Sequence, residues 1–410
     1  ARQVGKTWIM KTFGQQYFEK TAYVNFDNNA RMKQVFEGDL DIERLVLSIS
    51  AETGVSIEAE NTLIIFDEVQ EVPKALTSLK YFYENAPQYA IVAAGSLLGV
   101  ALHQGTSFPV GKVDFLDLYP LNFREFLCAM GEKQFVSMLD SCDTQMVTVF
   151  KTKYIERLRE YYFVGGMPEV VKDFSEKKDY NRVRAIQKNL INYYQQDFSK
   201  HAEIKLVPRL NLVWNSIPMQ LAKENKKYIY GQVREGSRAK DFELAIQWLL
   251  DCGLIHKVQR IQKPDLLLKA YIDFDAFKLF LVDIGLLIAM TDLDAKVIIE
   301  GNKIFTEFKG ALTEQYILQQ LISDVGVIPY YYSTQNSKGE IDFLVQGKTS
   351  VIPIEVKAEE NLKAKSLKAF CEKYQPSYAV RTSMSDYREQ DWMTNIPLYA
   401  VKWIKNYVNQ

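Results

Sequence analysis

The sequence has little with which to ligate zinc or build disulfides. Its 410 residues hold four cysteines (Cys128, Cys142, Cys252, Cys371), none in a C-x-x-C pair, and three histidines (His103, His201, His256). That scatter excludes the common zinc-ligand spacings and a disulfide framework, and reduced thiols point to the cytoplasm. No apolar stretch reaches about 18 residues without a charge, so no membrane span is expected. Neither sign of charge is in excess: 50 Lys and Arg against 51 Asp and Glu leave a net charge of −1. A uniformly basic nucleic-acid coat is thereby excluded, although a basic face on one domain is not. The length and apolar content suit about two to four domains with buried cores.

What is present begins at the first residue. Ala1-Arg2-Gln3-Val4-Gly5-Lys6-Thr7 reads as the end of a phosphate loop, G-x-x-x-x-G-K-[ST]. Gly5 lets backbone N–H groups close around phosphate oxygens, Lys6 supplies a point charge to the β/γ-phosphates, and Thr7 offers a hydroxyl to Mg²⁺. Taken alone, G-K-T is equally a turn before an amphipathic helix. The second half of a nucleotide site is Leu63-Ile64-Ile65-Phe66-Asp67-Glu68, a buried-strand run ending in two carboxylates. In that reading Asp67 holds Mg²⁺ and Glu68 orients or deprotonates the attacking water; the plainer alternative is that the acids cap the next helix. Tyr89 to Ser96 reads as a further buried strand, with Ser96 a candidate sensor of the γ-phosphate or simply part of a strand-to-helix turn.

Ala22 to Asp27 alternates as a strand, so strand-then-helix order repeats over roughly the first hundred residues and predicts a parallel α/β sheet covered on both faces. A phosphate loop is normally fed by a strand. We therefore expect the first strand and the first glycine of the motif to be missing, the chain to be a piece of a longer protein, and its own nucleotide binding to be weakened.

The expected organisation is a phosphate-loop ATPase core over 1–128, a helical lid or linker over 129–204, a winged helix over 205–265 and a further α/β domain over 266–410. Lys112 and Arg124, near the exit from the first sheet, are candidate nucleotide fingers or ordinary salt-bridged surface residues. Gly165-Gly166-Met167-Pro168-Glu169 reads as a structural turn with Pro at the first helical position. Leu210 to Asn225 and Ser237 to Asp251 read as amphipathic helices, Gly253 as a stop, and Leu254 to Ile261 as a strand: winged-helix order. Six basic residues (Lys223, Lys226, Lys227, Arg234, Arg238, Lys240) against Glu224 and Glu235 make this segment a candidate DNA-facing surface. The same run serves equally as a solvated basic face on a domain that packs between its neighbours.

A second chemical constellation lies near the C-terminus. Gly339 to Val345 reads as a strand carrying Asp342, and Val351 to Lys357 as another carrying Glu355 and Lys357, which share one face because strand positions two apart point the same way. Glu314 sits on a helix expected over Gly310 to Leu321. Asp, Glu and Lys so grouped suit Mg²⁺-assisted phosphodiester hydrolysis: carboxylates, here Asp342 and Glu355, hold the cation, and lysine steadies the attacking water or the charged transition state.

These motifs, with Phe277 to Leu287, Pro353-Ile354-Glu355-Val356-Lys357 and Gly165 to Val170, make the chain resemble, over nearly its whole length, prokaryotic AAA-family ATPases that carry a C-terminal domain of unknown function related to PD-(D/E)XK nucleases. The resemblance implies ATP and Mg²⁺ bound by Gly5, Lys6, Thr7 and Asp67, water activated by Glu68, and a nuclease-like site at Glu314, Asp342, Glu355 and Lys357. The resemblance leaves the biological role open; the sequence as a whole is read as an ATPase coupling its nucleotide state to a DNA- or partner-binding C-terminal region. Two alternatives stay open, an ATP-regulated Mg²⁺-dependent DNase and an ATP switch with a catalytically inactive nuclease-like binding domain. An oligomer is compatible with either.

Overall fold

The computed structural model describes residues 2–96, 111–223, 226–299, 306–334, 339–359 and 364–410. The chain forms two compact units: 1–118 with 251–254, and 119–250 with 255–410. The first compact unit ends at 118, within the 1–128 core expected from sequence.

The first unit is a parallel three-stranded sheet, ordered β1 (Lys20–Asn25), β2 (Thr62–Asp67), β3 (Ala90–Ala94) among the described residues. Helices α1 (Lys6–Tyr17), α2 (Ala30–Glu37), α3 (Ile42–Thr53) and α4 (Pro73–Asn85) accompany it. Every residue of β2 is buried, as a run of Leu, Ile and Phe demands when both faces of a sheet are covered. Its alternation sorts the helices. Ile64 and Phe66 join Phe26 and Phe36 in one core, where the three phenylalanine rings meet edge to face at 5.3–5.6 Å. Leu63 and Ile65 pack on the other face with Met10 of α1. Asp67 continues this second set at period two, so the strand aims it toward the face on which α1 lies.

In the second unit the helices are α5 (Phe123–Ala129), α6 (Lys133–Asp140), α7 (Thr144–Val149), α8 (Lys151–Val164), α9 (Pro168–Lys177), α10 (Tyr180–His201), α11 (Val207–Leu221), α12 (Tyr230–Val233), α13 (Ala239–Asp251), α14 (Ile284–Met290), α15 (Ala295–Ile299), α16 (Thr306–Gln320), α17 (Lys365–Tyr374) and α18 (Ile404–Val408). Its strands are β4 (Ile255–Ile261), β5 (Ile272–Leu281), β6 (Tyr330–Ser333), β7 (Glu340–Gln346), β8 (Val351–Val356), β9 (Val380–Ser383), β10 (Arg388–Gln390) and β11 (Met393–Pro397). They form one eight-stranded mixed sheet, ordered β10-β11-β9-β8-β7-β6-β4-β5.

The helix, helix, strand order read over 205–265 is present as α11, α13 and β4. The ribbon is not a free wing, however. β4 pairs antiparallel with β5, beyond residue 265, and parallel with β6, so the line drawn at 265/266 cuts through a hairpin. The reason lies in composition: from Ala276 to Leu281 β5 is buried throughout, which an exposed wing would not permit.

The Gly165-Gly166 turn is held by Asp283, whose buried carboxylate accepts from Gly166 N–H at 2.6 Å and caps α14 by accepting from Leu286 N–H at 3.0 Å. Gly165 has φ 75°, and a Cβ on Gly166 would stand 2.1 Å from the Leu121 carbonyl oxygen. Only glycine fits that approach. Pro168 then opens α9 at its first turn, as the sequence predicts.

Candidate nucleotide site and a buried charge cluster

Gly5 caps α1 with φ 90°, a left-handed conformation that lets the chain turn directly into the helix carrying Lys6 and Thr7. The Thr7 hydroxyl donates to Asp67 Oδ2 at 2.6 Å, bringing the phosphate-loop threonine and the end of β2 together across 60 residues. Tyr23 donates to the same oxygen at 2.9 Å, and Glu68 N–H donates to Oδ1 at 3.0 Å. Burial and the bond to Asp67 push the Tyr23 hydroxyl up to about 12. Lys6 is drawn down by burial, against the upward pull of Glu68 and Asp67. A hydroxyl and a carboxylate at hydrogen-bond distance are a fitting pair of hard oxygen donors for Mg²⁺.

Glu68 occupies left-handed backbone space, φ 51°, immediately after β2, a conformation disfavoured for a residue with a Cβ. Its Oε2 accepts from Gln70 Nε2 at 2.7 Å and from Ser96 Oγ at 2.8 Å. Burial works against ionisation here, but those two bonds and the charge of Arg2 outweigh it and hold the carboxyl below its usual range. Five of the residues singled out in the first unit, Lys6, Thr7, Asp67, Glu68 and Ser96, thus stand in mutual contact or electrostatic reach. The sequence reading gives no role to Tyr23 or Gln70. A signal for Tyr23 exists, since it alternates along β1 with Asn25, the register partner of Asp67.

In the second unit the carboxylates divide between two helices. β7 carries a bulge: Tyr330 pairs with Leu344 and Tyr332 with Ile341, so Asp342 and Phe343 together oppose Tyr331. The bulge re-aims Asp342. Its Oδ2 accepts from Val356 N–H at 2.7 Å, one residue past the last ladder pair Phe343–Ile354. Around it stand Lys278 of β5, Glu314 of α16, Glu340 and Lys226. Lys278 is fully buried; its ammonium donates to Glu340, lies 3.6 Å from Glu314 Oε2 and sits 4.8 Å from the centre of the Tyr331 ring. Lys226 donates to Glu314 Oε1. Burial, then the neighbouring charge of Glu314, push the Asp342 carboxyl well up, whereas Glu314 is held down against burial by Lys226 and Lys278.

Glu355 belongs to different company. Its Oε1 pairs with Lys357 at 2.6 Å and its Oε2 accepts from Leu367 N–H of α17 at 3.2 Å. Glu314 and Asp342 are therefore brought together, as are Glu355 and Lys357, while the two pairs engage different helices. Among the described residues no three His, Cys, Asp or Glu side chains are grouped to hold a metal ion. Lys278 lies within the Phe277 to Leu287 motif but is given no role in the sequence reading, yet it carries a signal: it is the one charge inside the apolar run Phe277 to Val282, and a lysine so placed is fully buried only when paired.

The basic run of 223–240 is also divided. Arg234, Arg238 and Lys240 are exposed, but Lys226 is turned inward to Glu314. Arg124 bridges Asp140 at 2.7 Å and Asp324 at 2.9 Å, and Lys112 pairs with Glu84 at 3.4 Å; both have structural partners. None of the four cysteines is in a disulfide, and no described helix is long and apolar enough to cross a membrane.

A parallel sheet with a Gly-Lys-Thr helix start facing an Asp-Glu strand end is the arrangement expected of a phosphate-loop α/β domain. Residues 1–127 match a family model described as an AAA domain, which supports an AAA-type ATPase. Residues 155–297 and 309–401 match two models, each described as a domain of unknown function (DUF8612 and DUF4143). No curated protein and no solved structure matches the chain.

Proposed function

We propose that the protein binds and hydrolyses ATP, and that its nucleotide state controls a DNA- or partner-binding C-terminal region. The observation that carries the ATPase reading is the Thr7–Asp67 contact at 2.6 Å, which joins the two halves of the sequence motif at one point. Gly5 and Lys6 hold the phosphates. Thr7 and Asp67 hold Mg²⁺, which when bound with ATP neutralises charge on the β/γ-phosphates. Glu68, kept ionised by Gln70 and Ser96, orients and deprotonates water, and Ser96 reports the γ-phosphate through that same bond. ATP turnover by wild type, Lys6→Ala and Glu68→Gln tests this: Lys6→Ala should lose binding, and Glu68→Gln should bind yet not turn over. Parent-rate hydrolysis by Glu68→Gln would remove Glu68 from its role.

For the C-terminal region, the pairing of Glu314, Glu340 and Glu355 with lysines favours a binding module over a Mg²⁺-dependent DNase. Plasmid nicking by the whole protein with Mg²⁺ or Mn²⁺ separates the two readings. Cleavage that disappears in Asp342→Ala/Glu355→Ala would restore the DNase.

A further inference from the structure

Glu314 on α16 and Glu340 on β7 both face Lys278, and Asp342 on β7 stands within its electrostatic reach, in the part of the fold where a nuclease-like site would hold a divalent cation. The fit to such an ion can be judged from what the chain itself places there. Lys278 enters from β5, is fully buried, bonds Glu340, faces Glu314 Oε2 at 3.6 Å and acts electrostatically on Asp342. Glu314 Oε2 makes no hydrogen bond of its own and takes its compensation from that ammonium, while Oε1 is occupied by Lys226. Asp342 Oδ2 accepts from Val356 N–H at 2.7 Å. A divalent ion entering this group would meet two ammonium groups among the carboxylates, in a setting with little water to screen them.

We propose that the Lys278 ammonium is the resident cation of this cluster, that the wild-type cluster consequently takes no divalent metal, and that removing the lysine charge opens a metal site. The inference rests on the binding-module reading of the C-terminal region, and it adds the reason: a strand lysine performs the charge compensation that a metal performs in a hydrolytic centre. Positioning follows from the fold. The bulge turns Asp342 and Phe343 against Tyr331, Phe343 lies 6.2 Å from the Phe280 ring, and Lys278 precedes Phe280 by two residues on one face of β5. The same geometry that points Asp342 at the cluster therefore seats the lysine inside it.

The test counts Mn²⁺ ions bound per chain by electron paramagnetic resonance, on the whole protein without nucleotide. Wild type, Asp342→Asn, Lys278→Ala and Lys278→Ala/Asp342→Asn are compared; any ion held at Asp67 is common to every arm and cancels. Equal counts are expected for wild type and Asp342→Asn, with one further ion gained in Lys278→Ala and lost again in the double variant. Lys278→Met keeps the stem packed over Tyr331 and should show the same gain if the alanine variant does not fold. An ion lost from wild type on Asp342→Asn would overturn the proposal, because the cluster would then bind metal with Lys278 in place. Folded Lys278→Ala and Lys278→Met that gain no ion would overturn it too. Plasmid nicking that depends on Asp342 and Glu355 bears on the binding-module reading; the ion count alone bears on Lys278.

Discussion

Thr7 Oγ1 lies 2.6 Å from Asp67 Oδ2 and donates to it, so the first turn of α1 and the last residue of β2 are tied by one hydrogen bond. Tyr23 shares the same acceptor oxygen at 2.9 Å and steadies the carboxylate from β1. On the proposed function, a nucleotide-bound Mg²⁺ would draw on both Thr7 and Asp67 and would replace this bond. Lys6→Ala is expected to abolish measurable ATP binding in calorimetry, and Glu68→Gln to retain affinity while turnover falls by about 10²-fold or more.

Ser96→Ala and Gln70→Ala both act on Glu68. Each removes a donor that holds the Glu68 carboxyl below its usual range. Its pKa should rise in either variant, and because the base must be ionised, the acid limb of the pH–turnover profile should move to higher pH. Unmoved acid limbs with lower rates would assign both residues to packing instead.

How much of the fold and the site is legible in the sequence depends on whether a residue's signal is local. Asp67 can be placed because period-two alternation along Leu63, Ile65 and Asp67 fixes its face without reference to any other element. Gly166 can be read as a turn, yet nothing local tells that it abuts the Leu121 carbonyl and bonds Asp283, a contact across 117 residues. Alternation likewise puts Glu355 and Lys357 on one face, and they do pair. It does not reveal the β7 bulge, which changes where Asp342 points. Bulges are set by the partner strand, here Tyr331, and leave no period in the sequence.

Asp283→Ala should be among the most damaging substitutions in the second unit. It strands the Gly166 and Leu286 N–H groups in a buried setting, at about 1–3 kcal/mol for each donor left without an acceptor. Gly166→Ala should be comparably severe because the clash is with backbone. Urea unfolding should show a lower midpoint for both with the slope unchanged for the same transition.

His256 gives a pH signature for the second unit. Burial lowers its pKa from 6.5 to about 4, so the folded state resists protonation that the unfolded chain accepts. Its contribution to stability is present above about 6.5 and is lost as pH falls toward 4. Asp342 has the opposite sign: its carboxyl is pushed up to about 7, so its contribution is present below the ordinary aspartate range and lost as pH rises through 7. In denaturation series across pH 4–7, His256→Gln should flatten the acid-side decline and Asp342→Asn the decline toward neutrality.

The basic run offers the last test, because the fold divides it. Arg234, Arg238 and Lys240 are exposed, while Lys226 is bound to Glu314. If this surface meets DNA, neutralising the three exposed residues should weaken binding and flatten its salt dependence by about 0.9 log–log units for each phosphate that is no longer neutralised. Lys226→Ala should leave the salt slope alone and instead lower stability, since it leaves Glu314 short of a partner in a buried cluster. Fluorescence anisotropy at several salt concentrations, set beside urea melts of the same variants, reads both effects. A slope that responds to Lys226 and ignores Arg234, Arg238 and Lys240 would show that any DNA binding runs through the charge cluster and not across the exposed face.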